Sequence, residues 1–223
     1  MMDSLQTNIQ ARALTKVKVC GITNAEDALV VEAAGADAIG LIFVDWSKRY
    51  ITVEQARAVV RVLGPFIHRV GVFIDADEGY MLELAQELQL SAIQLHGAEP
   101  LATVKRIKAH YKVIKAINIK AERDQAIDHA VLTEADAVFL DGVTPGSGQV
   151  FDWNLAKQFT HLPRLILAGG LKPDNVCAGI EALAPYAVDA ASGVEQKGSP
   201  RRKDAAKVLD FVRLAKGLTT QGT

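Results

Sequence analysis

With 223 residues, 49% of them hydrophobic, the chain has apolar material for one domain with a sizeable core, a size common among single α/β barrels. Twenty-five Lys and Arg against 26 Asp and Glu leave a formal charge of −1. That balance excludes the basic field that draws proteins onto nucleic acid or anionic lipid, and it makes a small molecule the expected partner.

The opening stretch MMDSLQTNIQARALT has no apolar signal region and is expected to form a flexible extension, residues 1–15, ahead of a folded unit over 16–217 and a frayed tail at 218–223. The first strand, VKVC, ends on Cys20, and the second is AIGLIF, followed by the loop residues Ser47, Lys48 and Arg49. Thr52 and Gln55 then have the spacing of a capping box, with Val53, Ala56, Val60 and Leu63 as the apolar stripe of the helix behind it. HRVGVFI is the third strand, and Met81, Leu84, Ala85 and Leu88 share one face of the next helix. The fourth strand, AIQL, leads through Gln94 to His96, and the fifth is KVIKAI. The region from Ala121 to Val131 is dense in charge and thin in apolar residues, which predicts a short or irregular helix. AVFL ends on Asp141 and is followed by Pro145-Gly146-Ser147-Gly148. RLILA is followed by Gly169-Gly170, and AVDAA, with Asp189, by Ser192-Gly193. Ala205, Val208, Leu209 and Val212 mark the last helix.

Eight apolar runs, buried on both sides and alternating with helical patterns, predict a parallel sheet. Repeats of roughly 25 residues match a closed (β/α)8 barrel of about 200 to 250 residues. An open doubly wound sheet is the rival. Its dinucleotide-binding form needs Gly-x-Gly-x-x-Gly after the first strand, and Cys20-Gly21-Ile22-Thr23 is no such turn.

A barrel gathers its chemistry at the carboxyl ends of its strands, so the residues at those points are the candidate site. The glycine loops after strands six, seven and eight, with Gly148, Gly170, Ser192 and Gly193, let backbone N–H groups approach an anion, which points to a phosphorylated metabolite. Taken singly, such glycines serve turns and caps. Asp141 closes an apolar strand, where desolvation favours the protonated form that a general acid needs; its bland alternative is a loop cap. Cys20 is a candidate base, since positive neighbours turn a thiol into a thiolate, whereas a lone buried cysteine is ordinarily inert packing. Arg49 can fork onto a carboxylate, and Gln94 and His96, two residues apart, face the same barrel side. The remaining histidines have no ligand spacing, so a metal is not expected. Cys177 reads as a small apolar residue of the seventh helix. With only two cysteines and no stretch approaching about eighteen apolar residues, a cytoplasmic protein is expected, as a monomer or a homodimer.

The segments VKVCGIT with AEDA, GLIFVDWSKRYIT, VGVFID, AIQLHG, VFLDGVTPGSGQVFDW, LILAGGLKPDNV, and VDAASGVE with KGSPRRKD together resemble the phosphoribosylanthranilate isomerases of tryptophan biosynthesis, from about Lys16 to Lys216. The resemblance implies a single-domain barrel of the ribulose-phosphate-binding type. It also implies an Amadori rearrangement of N-(5-phosphoribosyl)anthranilate without metal or cofactor. By motif, Cys20 would be the general base and Asp141 the general acid. Arg49 would meet the anthranilate carboxylate, Gln94, His96 and Asp189 would line the pocket, and the glycine loops would hold phosphate. Lys48, Ser147 and Ala191 depart from the family's commoner proline, threonine and serine, and the latter two fall in the phosphate loops. Two sugar-phosphate enzymes compete on the same scaffold. Indoleglycerol-phosphate synthase needs a strand-end lysine, while Lys18 and Lys115 lie within strand runs. A histidine-pathway isomerase needs a pair of strand-end acids. A non-enzymatic phosphate sensor is the third reading.

Overall fold

The computed structural model describes residues 15–119, 128–142, 151–162 and 164–218. Eight parallel strands close on themselves in sequence order: β1 (Lys16–Cys20), β2 (Ala38–Ile42), β3 (His68–Phe73), β4 (Ala92–Leu95), β5 (Lys112–Asn118), β6 (Ala137–Asp141), β7 (Leu165–Leu167) and β8 (Ala187–Ala190), which pairs back onto β1. All eight predicted runs are strands of this barrel. Side chains alternate along each strand, so Val17 and Val19 point out to the helices while Lys18 and Cys20 point in. The main core is the apolar shell between barrel and helices. A smaller interior cluster is formed by Ala116, Ala137, Phe139, Ile166, Ala168 and Ala187.

Between the strands run helices Ala25–Ala33, Val53–Val62, Glu78–Glu87, Leu101–Lys108, His129–Glu134, Val176–Leu183 and Ala205–Ala215, with a 3-10 segment, Trp153–Phe159, between β6 and β7. Their starts are locally encoded. Thr52 and Gln55 form the reciprocal capping box, and Asn24, Asp77, Asp128 and Asp204 each accept a first-turn backbone N–H.

Two details differ from expectation, and one agrees with it. In the last helix Val208, Phe211, Val212 and Ala215 are buried, whereas Ala205 and Leu209 are exposed. Both stripes share Val208 and Val212, and the larger Phe211 draws its own side of the helix inward. The fifth helix is indeed short, His129–Glu134, although residues 120–127 lie outside the described set. Cys177 is exposed rather than apolar filling, because its side of the second helical position faces away from the sheet.

One element was not foreseen. After β8 the chain forms an antiparallel pair, β9 (Glu195–Gln196) and β10 (Ser199–Lys203), turned at Gly198, whose φ of 77° suits glycine. Its segment, KGSPRRKD, carries charge without an apolar alternation, so periodicity gives no strand signal. Among the described residues no helix is long and apolar enough to cross a membrane.

Candidate active site

The carboxyl end of β1 brings Lys18 and Cys20 into the barrel on the same face. Opposite the thiol stands Gly40 of β2, where an added Cβ would lie 2.5 Å from Cys20 Sγ, so the glycine makes room for the sulfur. Lys18 pairs in register with Asp189 of β8, and its Nζ donates to Asp189 Oδ1 at 2.8 Å with both side chains buried. The same ammonium sits 5.3 Å from the Phe139 ring centroid. Burial works against the Lys18 charge, but Asp189 and Cys20 outweigh it and hold its pKa above 10.5. Burial also pushes the Cys20 thiol above its ordinary 9.0, with Lys18 and Lys203 pulling against that shift and Asp189 adding to it.

Arg49 is buried, and its carboxylate-matching edge is already used. Nε and Nη2 donate to Glu195 Oε1 and Oε2 at 2.5 and 2.9 Å. Glu195 also receives Lys203 Nζ at 3.2 Å, and that ammonium donates to the Ala191 carbonyl at 3.0 Å. Arg49 crosses Gly21, whose φ is 73° and whose missing side chain leaves space for the arginine stem. The guanidinium therefore faces inward with only its remaining N–H donors free for a ligand.

Across the barrel mouth the polar groups are less satisfied. Gln94 Nε2 lies 3.3 Å from His96 Nδ1, and His96 Nε2 lies 3.5 Å from Asp141 Oδ2. The imidazole meets the Phe139 ring edge-on at a centroid distance of 5.6 Å. Asp141 Oδ1 accepts the Gly142 N–H at 2.8 Å. Among the described residues, Gln94 Oε1, His96 Nε2 and Asn118 Oδ1 are buried without a hydrogen-bond partner, and Asn118 is register-paired with Asp141. The loop carrying His96 is fixed from below: Lys115 Nζ donates to Glu99 Oε2 and to the Gly97 carbonyl, each at 2.6 Å.

Of the predicted anion loops, those after β7 and β8 are adjacent. Gly169 and Gly170 both adopt positive φ, 76° and 71°, and Gly193 packs so closely on the Leu171 carbonyl that a Cβ would collide with it. Ser192–Val194 form one 3-10 turn beside them. Gly148 lies outside the described residues. Among the described residues no three His, Cys, Asp or Glu side chains gather as metal ligands do.

Cys20, Asp189 and Arg49 thus share one side of the mouth, and Gln94, His96 and Asp141 the other. Five participants were not among the candidate site residues read from the sequence. Lys18 could have been found from strand alternation with Cys20, and Asn118 from its place at the end of β5. Gly40, Glu195 and Lys203 depend on contacts between distant segments that spacing does not reveal.

Proton donors and acceptors around such a mouth, next to two glycine turns, fit the class of (β/α)8 barrels that do acid–base chemistry on phosphorylated metabolites. Residues 17–214 match the family model described as N-(5'phosphoribosyl)anthranilate (PRA) isomerase. An N-(5'-phosphoribosyl)anthranilate isomerase of Thermotoga petrophila is 45% identical over 209 residues, 92% of this chain and 100% of the relative. The solved phosphoribosyl anthranilate isomerase of Thermotoga maritima superposes with a TM-score of 0.84 at 42% identity, over 92% of this chain and 100% of that one. A second such structure, in complex with reduced 1-(o-carboxyphenylamino)-1-deoxyribulose 5-phosphate, gives 0.81 at 41% with the same coverage. The chain belongs to the phosphoribosylanthranilate isomerase family.

Proposed function

We propose that this barrel converts N-(5-phosphoribosyl)anthranilate to 1-(2-carboxyphenylamino)-1-deoxyribulose 5-phosphate, with Asp141 as general acid and Cys20 as general base. The observation that carries the assignment is that a thiol on β1 and a carboxyl on β6 both face the barrel mouth at the carboxyl ends of their strands. As a member of its family the protein is an isomerase of tryptophan biosynthesis.

Asp141 gives its proton to the furanose ring oxygen as the C1–O bond breaks, and the anilino nitrogen supplies the electron pair that forms the Schiff base. The Cys20 thiolate then takes the proton from C2, and the C–H electrons move towards the nitrogen to give the enolamine. Tautomerisation places a proton on C1 and leaves the ketone at C2. His96, 3.5 Å from Asp141, is suited to hold that carboxyl and to restore its proton. The free donors of Arg49 take the anthranilate carboxylate, and Gln94 and Asn118 offer their unpartnered oxygens to sugar hydroxyls. Asp189 serves the substrate indirectly, by holding Lys18 beside the thiol. Gly170, Ser192 and Gly193 form the phosphate cradle, to which the family resemblance adds Gly148, outside the described residues. Two free cysteines fit a reducing cytoplasm, and the chain works as a monomer or homodimer without nucleic acid.

Loss of anthranilate-type fluorescence on freshly prepared substrate is the direct test. Cys20→Ser should keep the fold and phosphate binding while lowering kcat by about 100-fold or more. A serine variant with parental turnover would remove Cys20 from the chemistry.

A further inference from the structure

Cys20 is surrounded by more charge than an acid–base pair requires. On its own strand lies Lys18, and on β8 Asp189, joined to each other at 2.8 Å. From the loop after β2 comes Arg49, from β9 Glu195 and from β10 Lys203, joined by bonds of 2.5, 2.9 and 3.2 Å. β2 contributes only Gly40, and Asp141 of β6 and His96 beyond β4 stand on the far side of the mouth. The remaining buried carboxylate nearby, Asp27, is engaged elsewhere: it accepts from Asn24, from the Lys203 backbone N–H and lies 3.6 Å from Arg202. Among the described residues, three buried cations therefore share two buried carboxylates, which leaves one positive charge in excess.

Register locates that charge. Val19 pairs with Ala190, so the next step along both strands sets Cys20 beside Ala191, whose carbonyl holds Lys203 Nζ at 3.0 Å. The Lys203 side chain is fully buried, and its ammonium donates both to that carbonyl and to Glu195 Oε1.

We propose that Lys203, from the β9–β10 pair, is a positioning residue that holds a partly matched positive charge beside Cys20 and so stabilises its thiolate, with Glu195 setting how much of that charge the sulfur meets. The inference rests on Cys20 being the base, and it deepens that assignment. The coupling is mutual: Lys203 lowers the cost of ionising the thiol, and a charged sulfur in turn favours the Lys203 ammonium, which burial otherwise weakens.

The test uses the full chain carrying Cys177→Ser, so that Cys20 is its one thiol, and follows thiolate ultraviolet absorbance against pH without substrate. Lys203→Met should raise the Cys20 midpoint by at least about one pH unit, a tenfold drop in thiolate at a given pH, and move the rising limb of kcat/KM upward by the same amount. Lys203→Arg should restore most of the shift. Glu195→Gln should move the midpoint the opposite way, downward, which general damage to the pocket would not do. An unchanged midpoint in folded Lys203→Met, or equal-direction shifts in Lys203→Met and Glu195→Gln, would overturn the proposal. If Lys203→Met does not fold, the sign of the Glu195→Gln shift decides. Since absorbance needs no turnover, failure here is distinct from failure of the base assignment, which Cys20→Ser turnover reads.

Discussion

The two sides of the barrel mouth are built on opposite principles. The side formed by β1, β8 and the β9–β10 pair brings its own counter-ions: Lys18 with Asp189, and Arg49 with Lys203 around Glu195. The side formed by β4, β5 and β6 leaves Gln94 Oε1, His96 Nε2 and Asn118 Oδ1 buried and unpartnered. Buried polar atoms are nearly always bonded, so three such atoms without a partner among the described residues support the proposed substrate position. The first side is preorganised electrostatics, and the second is a set of hydrogen bonds waiting to be made.

That difference predicts different consequences for mutation. The largest belongs to Asp141, the proposed acid. Asp141→Asn keeps the oxygen that accepts the Gly142 N–H but removes the transferable proton, so kcat should fall by about 100- to 10,000-fold with little change in thermal unfolding. Cys20, as the proposed base, would set the pH dependence. With burial holding the Cys20 thiol above 9.0 and the thiolate the active form, kcat/KM should climb with pH and still be rising at 9.0. A plateau already reached near neutrality would show the thiol far more ionised than its surroundings imply.

On the counter-ion side, Glu195→Ala should strike stability first. It strands Arg49 and Lys203 as unpaired buried cations, a loss of about 3–5 kcal/mol readable by urea unfolding. The other side should behave in reverse. Asn118→Leu removes a buried oxygen that has no partner in the free enzyme, so its folding stability should change little or improve. Substrate binding should weaken by about 0.5–1.5 kcal/mol, the net worth of one hydrogen bond, and appear in KM. If Asn118→Leu unfolded the protein while Glu195→Ala did not, the division between the two sides would be wrong.

The legible part of this molecule was whatever local spacing encodes. Strand runs, the Thr52–Gln55 box and the strand-end positions of Cys20 and Asp141 follow from periods of 2 and 3.6 and from where a barrel keeps its chemistry. Arg49 was found by residue type, but its partner was not: Glu195 lies 146 positions away, and an arginine read as free for substrate has half its fork on the protein's own carboxylate. Asp189 likewise read as a pocket residue, and its bond to Lys18 spans 171 positions. Pairings over such separations are set by barrel closure, which single-sequence periodicity cannot supply. The β9–β10 pair escaped for another reason, since it is held by charge and not by an apolar face.

The smallest effect lies at the opposite end of the barrel and measures what ion pairs contribute where water competes. Asp37, just before β2, accepts the Val17 N–H at 2.9 Å, Lys216 Nζ at 2.9 Å and Lys16 Nζ at 3.2 Å, tying the first strand to the end of the last helix. Partial burial opposes its charge, but the Lys216 and Val17 hydrogen bonds outweigh that and hold its pKa below 3.8. A depressed carboxylate pKa stabilises the fold above the unfolded value, and the contribution disappears as pH falls from about 3.8 through the lower folded value. Asp37→Asn should therefore lower stability at neutral pH by no more than about 1 kcal/mol, given the water around Lys16, and the loss should shrink with added salt and vanish in acid. Glu195→Ala, whose partners are dry, should keep its effect in salt, and that contrast is read directly from paired urea titrations at low and high ionic strength.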